Sequence, residues 1–224
     1  MTTATTLSEL QTAVRERSNM ENSQFVSDSE LTRYINQSAA ELYDLVVSVY
    51  EDYDLQSLSF SYTSDDGYTL PADFYKLRGV DFQQGSDWLV VDPFSFVDRN
   101  KATSRLYRSY YPSKQYRLVG NKIKFIPLGT TGTFRLWYIP SFTKLVVAGD
   151  AISLSSSIEG WDEYIICDAA IKCMQKEESD PSILMAQKQA LIMRIKNMAA
   201  NRDADRPQVV TDVRINDWNE DPWL

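Results

Sequence analysis

Histidine is missing from all 224 residues of this chain. Serine, cysteine and threonine nucleophiles ordinarily rely on an imidazole base, and zinc sites ordinarily use imidazole or thiolate ligands. Most hydrolytic and zinc chemistries therefore lose a required part. Cysteine is nearly missing too, with Cys167 and Cys173 the only two. On one helix they stand about 9 Å apart in rise and about 240° apart in rotation, which rules out an unstrained disulfide between them. A buried, inert pair in a reducing compartment is the reading, and the sequence calls for no metal and no cofactor. No apolar run approaches the roughly 18 residues needed to cross a bilayer, and residues 1–6 carry neither a basic nor an apolar region of an export signal, so no membrane association is expected. Gly129 and Gly132 are not followed by the Lys and Ser/Thr of a phosphate loop; they read as a hairpin turn between strands. Two carboxylates alone can hydrolyse a glycoside, but among 31 Asp and Glu no pair stands out.

One further absence is local. The net charge is −8, yet residues 99–144 contain no Asp or Glu. Arg99, Lys101, Arg105, Arg108, Lys114, Arg117, Lys122 and Lys124, followed by Arg135 and Lys144, fall in that stretch with Tyr107, Tyr110, Tyr111 and Tyr116 among them. The first eight form a candidate basic interaction face, suited to an acidic protein neighbour better than to tight DNA binding, which usually needs a net basic domain. A solvated face is the plain alternative.

What is present is helical at both ends and β in the middle. Thr6 and Glu9 form a capping box ahead of Leu7, Leu10 and Val14, predicting a short helix that ends near residue 19. Ser27 and Glu30 form a second box. It opens a long helix with Leu31, Ile35, Ala39, Leu42, Val46, Val49 and Tyr53 in period, and Phe25 is placed to staple onto its first turn. From residue 55 the period is two: Leu58, Phe60 and Tyr62 alternate with serines, and Asp65-Asp66-Gly67 then predicts a hairpin to Tyr68 and Leu70. Further strands are expected at 76–82, 88–91, 116–119, 122–126, 133–139 and 151–154, with a turn at Gly120-Asn121, a short helix from Pro93 to residue 101 and a loop over 102–113. Helical spacing returns with Trp161, Ile165, Ala169 and Cys173, and Asp180-Pro181 starts a fourth helix carrying Leu184, Leu191, Ile195 and Met198. The last two should pack as an antiparallel hairpin.

The expected fold class is therefore α+β. Residues 1–54 and 156–202 form a helical bundle, 55–155 an inserted antiparallel β-sheet or small barrel, and 203–224 an extended acidic tail. Val209, Val210, Val213, Ile215, Trp218 and Trp223 give that tail apolar anchors in need of a partner surface.

Leu7-Ser8-Glu9-Leu10 with Val14-Arg15-Glu16-Arg17, then Phe25-Val26-Ser27-Asp28-Ser29-Glu30-Leu31 with Tyr34-Ile35-Asn36, resemble the start of tailed-bacteriophage head-to-tail adaptor proteins. Leu70-Pro71-Ala72-Asp73-Phe74-Tyr75-Lys76-Leu77, Gly160-Trp161-Asp162-Glu163-Tyr164, Asp168-Ala169-Ala170-Ile171-Lys172, Glu177-Glu178-Ser179-Asp180-Pro181 and Asn201-Arg202-Asp203 with Arg206-Pro207 follow in the family's order. The resemblance implies a structural protein of the virion's head-tail junction, assembled in the host cytoplasm, and not an enzyme. Its implied partners are the portal protein, tail or nozzle proteins and further copies of itself in a dodecameric ring, through which double-stranded DNA passes without sequence-specific binding. A head-closure or tail-terminator protein is the alternative, and a virion-associated carboxylate glycosidase the more distant one.

Overall fold

The computed structural model describes residues 5–21, 25–63, 66–97, 114–152 and 161–200. Its helices are α1 (Leu7–Arg17), α2 (Asp28–Val49), α3 (Asp162–Lys176) and α4 (Ser182–Ala200). Both capping boxes form: Thr6 and Ser27 accept from the amides of Glu9 and Glu30, whose carboxylates accept from the two cap amides in return. Two first-turn amides of α1 are satisfied from afar, Leu7 by the Asp150 carbonyl at 2.8 Å and Ser8 by that of Ala148 at 3.1 Å.

The long helix is shorter than its periodicity predicts. Tyr50 turns to extended backbone and ends α2, so Tyr53 lies beyond the helix. It is nevertheless buried, with its ring 5.4 Å from that of Trp161. The expected staple is also displaced. Val26 is the buried residue, whereas Phe25 is exposed beneath Lys176, whose ammonium stands 4.9 Å from its ring centre.

Helix α3 is enclosed on more than one side: Ile166, Cys167, Asp168 and Ala170 are buried along with the predicted Ile165, Ala169 and Cys173. An all-round buried helix is the centre of a bundle, and α1, α2 and α4 all pack against it. The α3–α4 pair is antiparallel as expected, with Cys167 donating to the Leu184 carbonyl and Asp168 paired with Lys188.

Between α2 and α3 the described chain forms eight strands: β1 (Gln56–Tyr62), β2 (Tyr68–Thr69), β3 (Phe74–Gln84), β4 (Asp87–Val90), β5 (Asp92–Pro93), β6 (Gln115–Val119), β7 (Lys122–Ile126) and β8 (Gly132–Pro140). They make two sheets, ordered β1-β8-β3-β4 and β2-β7-β6-β5. The inner faces meet through aromatic contacts: Phe125 of the second sheet lies 3.9 Å from Phe134 and 4.8 Å from Tyr62 of the first. Among the described residues this is an α+β fold with an open sandwich.

Three local expectations are corrected. β1 and β2 are not a hairpin, because β1 pairs with β8 along its whole length and β2 pairs with β7. Gly129 and Gly132 likewise lead from β7 in one sheet to β8 in the other. Alternation reports which face is buried but not which strand lies alongside, and here both connections cross between sheets, so Phe60 and Phe134 line one wall and Phe125 the other. Pro93 itself lies in β5, parallel to β6, where on a short edge strand its missing N–H costs no ladder bond; of the helix expected there, Phe96 and Val97 form a 3-10 turn and residues 98–101 lie outside the described residues. The Gly120-Asn121 turn between β6 and β7 forms as expected, with Gly120 at φ 58°. The predicted loop at 102–113 and residues 153–154 of the last predicted strand lie outside the described residues; Ala151 makes an isolated bridge to Thr6.

The bundle and sandwich meet through Tyr43, whose hydroxyl donates to the Pro140 carbonyl at the end of β8 at 2.5 Å, and Asn36 ties the segment after β8 to α2 by bracketing Leu145 with bonds of 2.9 and 2.7 Å. Ile139, Leu145 and Ile152 belong to the bundle's apolar cluster.

Candidate assembly surfaces

The predicted basic residues are divided by the sandwich. Lys122 and Lys124 alternate with buried Ile123 and Phe125 on β7, so they project from the outer face of the second sheet. Arg117 is the register partner of Lys124 and shares that face. Its guanidinium donates to the Phe94 carbonyl at 3.1 Å and stands 5.1 Å from the Phe96 ring centre. Neither Lys122 nor Lys124 makes an ion pair among the described residues, so the face keeps a positive field. Lys114 is used differently, with its ammonium 3.6 Å from the Phe82 ring centre in the other sheet. Arg99, Lys101, Arg105 and Arg108 lie outside the described residues, as do the tail positions Val209, Val210, Val213, Ile215, Trp218 and Trp223.

Arg135 and Lys144, from the same acid-free stretch, face elsewhere. Arg135 projects from the outer face of the first sheet, where it donates to Asp81 at 2.8 Å and stands 4.2 Å and 4.8 Å from the ring centres of Trp88 and Trp137. Asp81 also accepts from the Trp137 indole at 2.6 Å. Lys144 lines a groove against α2 with Arg33, Gln37 and Phe142.

Between α2, α3 and α4 lies a charge cluster that sequence patterns leave unannounced. Asp168, 3% exposed, accepts from Ser38 at 2.6 Å, Lys172 at 2.7 Å and Lys188 at 2.6 Å. Glu41 accepts from both lysines, at 3.1 and 3.2 Å, and balances the charge. Burial works to raise the Asp168 pKa, but the bonds from Lys172, Lys188 and Ser38 outweigh it and hold the carboxyl below its ordinary range. Desolvation works to lower the Lys188 pKa, and Asp168 reverses this. Such a network fixes how three helices sit together. Asp168 and Lys172 are an i, i+4 pair within a quoted motif, which is the one signal the sequence offers; Ser38, Glu41 and Lys188 come from other helices.

The remaining chemistry is quiet. Burial raises both thiols, Cys173 to about 11, so neither is activated as a nucleophile. The carboxyls clearly shifted by their surroundings, Glu9, Glu30, Glu51, Asp150 and Asp168, are all shifted down, so none has the raised value of a glycosidase acid. Among the described residues no group of His, Cys, Asp and Glu is arranged to hold a metal, and no helix is long and apolar enough to cross a membrane.

Among the described residues, helix α4 leaves several large apolar side chains uncovered. Leu184, Ile195 and Ala199 are buried, but Ile183 is 74% exposed, Met193 68%, Met185 43% and Met198 40%. At 100° per residue, Ile183, Ala186, Ala190 and Met193 fall within about 80° of arc on the side away from the bundle, and exposed Asn197 ends the apolar strip one turn later on the same arc. Gln187 and Arg194 flank that stripe on one side, Gln189 and Lys196 on the other, and α4 contains no acid.

No curated protein matches the chain. Residues 5–213, nearly its whole length and including both helical ends and the sandwich between them, match the family described as SU10 adaptor protein, and the chain belongs to that family.

Proposed function

We propose that this protein is the head-to-tail adaptor of a tailed bacteriophage: a structural ring subunit that docks beneath the portal, joins capsid to tail and surrounds the channel through which DNA passes. The family match over residues 5–213 carries the reading. The physical features fit it. The bundle is rigid, held by a buried charge network and an all-round buried α3. The sandwich presents a basic outer face to a neighbour. The sequence after α4 adds apolar anchors among acidic residues. Net charge of −8 suits a channel wall that lets DNA slide rather than grips it. The protein acts through these surfaces, with no catalytic step.

Infection by a phage with a stop codon in this gene tests the role. The proposal expects tail-less heads and completed free tails, joined when the purified protein is added. A tail-terminator role predicts heads that remain competent to join and tails of uncontrolled length. That result would reassign the protein.

A further inference from the structure

We propose that the exposed face of α4 is the seat for the C-terminal segment, residues 208–224, of a second copy of this chain. The inference rests on the ring reading above and names one contact within it.

The face itself poses the problem. An amphipathic helix normally turns its apolar residues to the core, yet α4 carries a second apolar strip, Ile183 to Met193, on the side that no described residue covers. Ile183 and Met193 are among the most exposed large apolar side chains of the described chain. Methionine and small residues make an adaptable groove: the alanines let a backbone approach and the thioethers fit an irregular partner.

Complementarity names the occupant. Residues 209–223 carry Val209, Val210, Val213, Ile215, Trp218 and Trp223 for the apolar stripe. They also carry four acids, Asp212, Asp217, Glu220 and Asp221, against the single base Arg214. The stripe is flanked by Arg194 and Lys196 with no acid on the helix. Apolar stripe meets apolar anchors, and basic flanks meet acidic spacing. Length allows a neighbour's helix to be the seat. The strip from Ile183 to Met193 spans about 15 Å and seats only part of a segment whose seventeen residues reach about 56 Å when extended, which leaves length to cross a subunit boundary. Each such contact is weak alone, and a ring held on a template makes it effective.

Paramagnetic broadening tests this in the full-length chain. Chains with 13C-methyl methionine are mixed with unlabelled chains bearing a nitroxide at Asn216→Cys, the native thiols being buried. At about 1 mM, comparable to the effective concentration on a template, the Met193 and Met198 methyl signals should lose at least half their intensity while that of buried Met20 is unchanged. Ile183→Glu with Ala190→Glu should restore them. Absence of selective broadening overturns the proposal, as does broadening confined to chains that carry both labels, which would place the segment on its own α4. If the double variant keeps the broadening, the segment lies near α4 but not on the stripe, and the proposal is overturned. None of these results decides whether the portal is bound at all, so the ring reading is tested separately.

Discussion

Asp168 sets the chemistry of the bundle at the scale of single residues. Its carboxylate is nearly inaccessible, while Lys172 and Lys188 keep 20% and 22% of their side-chain surface. Asp168→Ala leaves two ammonium groups facing an empty site, and breaking a buried pair costs 3–5 kcal/mol. Partial exposure of the lysines places this case at the low end, about 3 kcal/mol, measured as a loss in urea unfolding. The sign of the pH effect follows from a folded pKa below the unfolded one. The contribution is complete above the unfolded value of about 3.9 and disappears as pH falls through the depressed folded value. Wild-type stability should therefore fall below about pH 4 more steeply than that of Asp168→Asn. Equal slopes would mean that Asp168 is not the titrating anchor. Burial of Cys167 and Cys173 leads to another expectation: both thiols should resist a thiol reagent in the native protein and react together on unfolding. Little of this was legible beforehand. Cys167 and Cys173 could be read as inert from spacing alone, but the Asp168 cluster joins three helices and has no local pattern.

Elements divide according to whether their determinants are local. Both capping boxes, the faces of α1 and α2, the α3–α4 hairpin and strands β6, β7 and β8 were legible because caps and periodicity act within a few residues. Strand partners were not. Phe60 and Tyr62 show the same alternation whether β1 pairs with β2 or, as it does, with β8. Pro93 misled because φ fixed near −65° suits both a helix start and an edge strand. Gly132 holds a crossover between sheets: its φ is 142°, and an added Cβ would lie 2.6 Å from Cε2 of Phe82. Gly132→Ala should cost about 2 kcal/mol, from a backbone conformation that alanine disfavours together with displacement of Phe82. A thermal midpoint within a degree of wild type would refute that account. Ser27→Ala, which removes the α2 cap, should cost about 1 kcal/mol on the same measurement.

The whole molecule reads as a part built for assembly. Its bundle and sandwich are joined by Tyr43 on the Pro140 carbonyl, while its uncovered features, the outer face of β6 and β7 and the stripe on α4, point outward. The family itself was legible because the quoted motifs occur in order along nearly the full chain; the α4 stripe was not, since helical spacing marks Leu184, Leu191, Ile195 and Met198 as one face and says nothing of what covers Ile183 and Met193 on the other. Charge shapes when assembly happens. Subunits at −8 repel one another until specific contacts between basic and acidic surfaces offset the repulsion, so the isolated chain should be monomeric and should form its ring on the portal. Sedimentation velocity of the purified chain at micromolar concentration, alone and with portal, tests this most directly. The account predicts a monomer alone and a stable, faster-sedimenting complex carrying a ring of chains when portal is present. A portal boundary unchanged by excess chain would contradict the adaptor assignment itself.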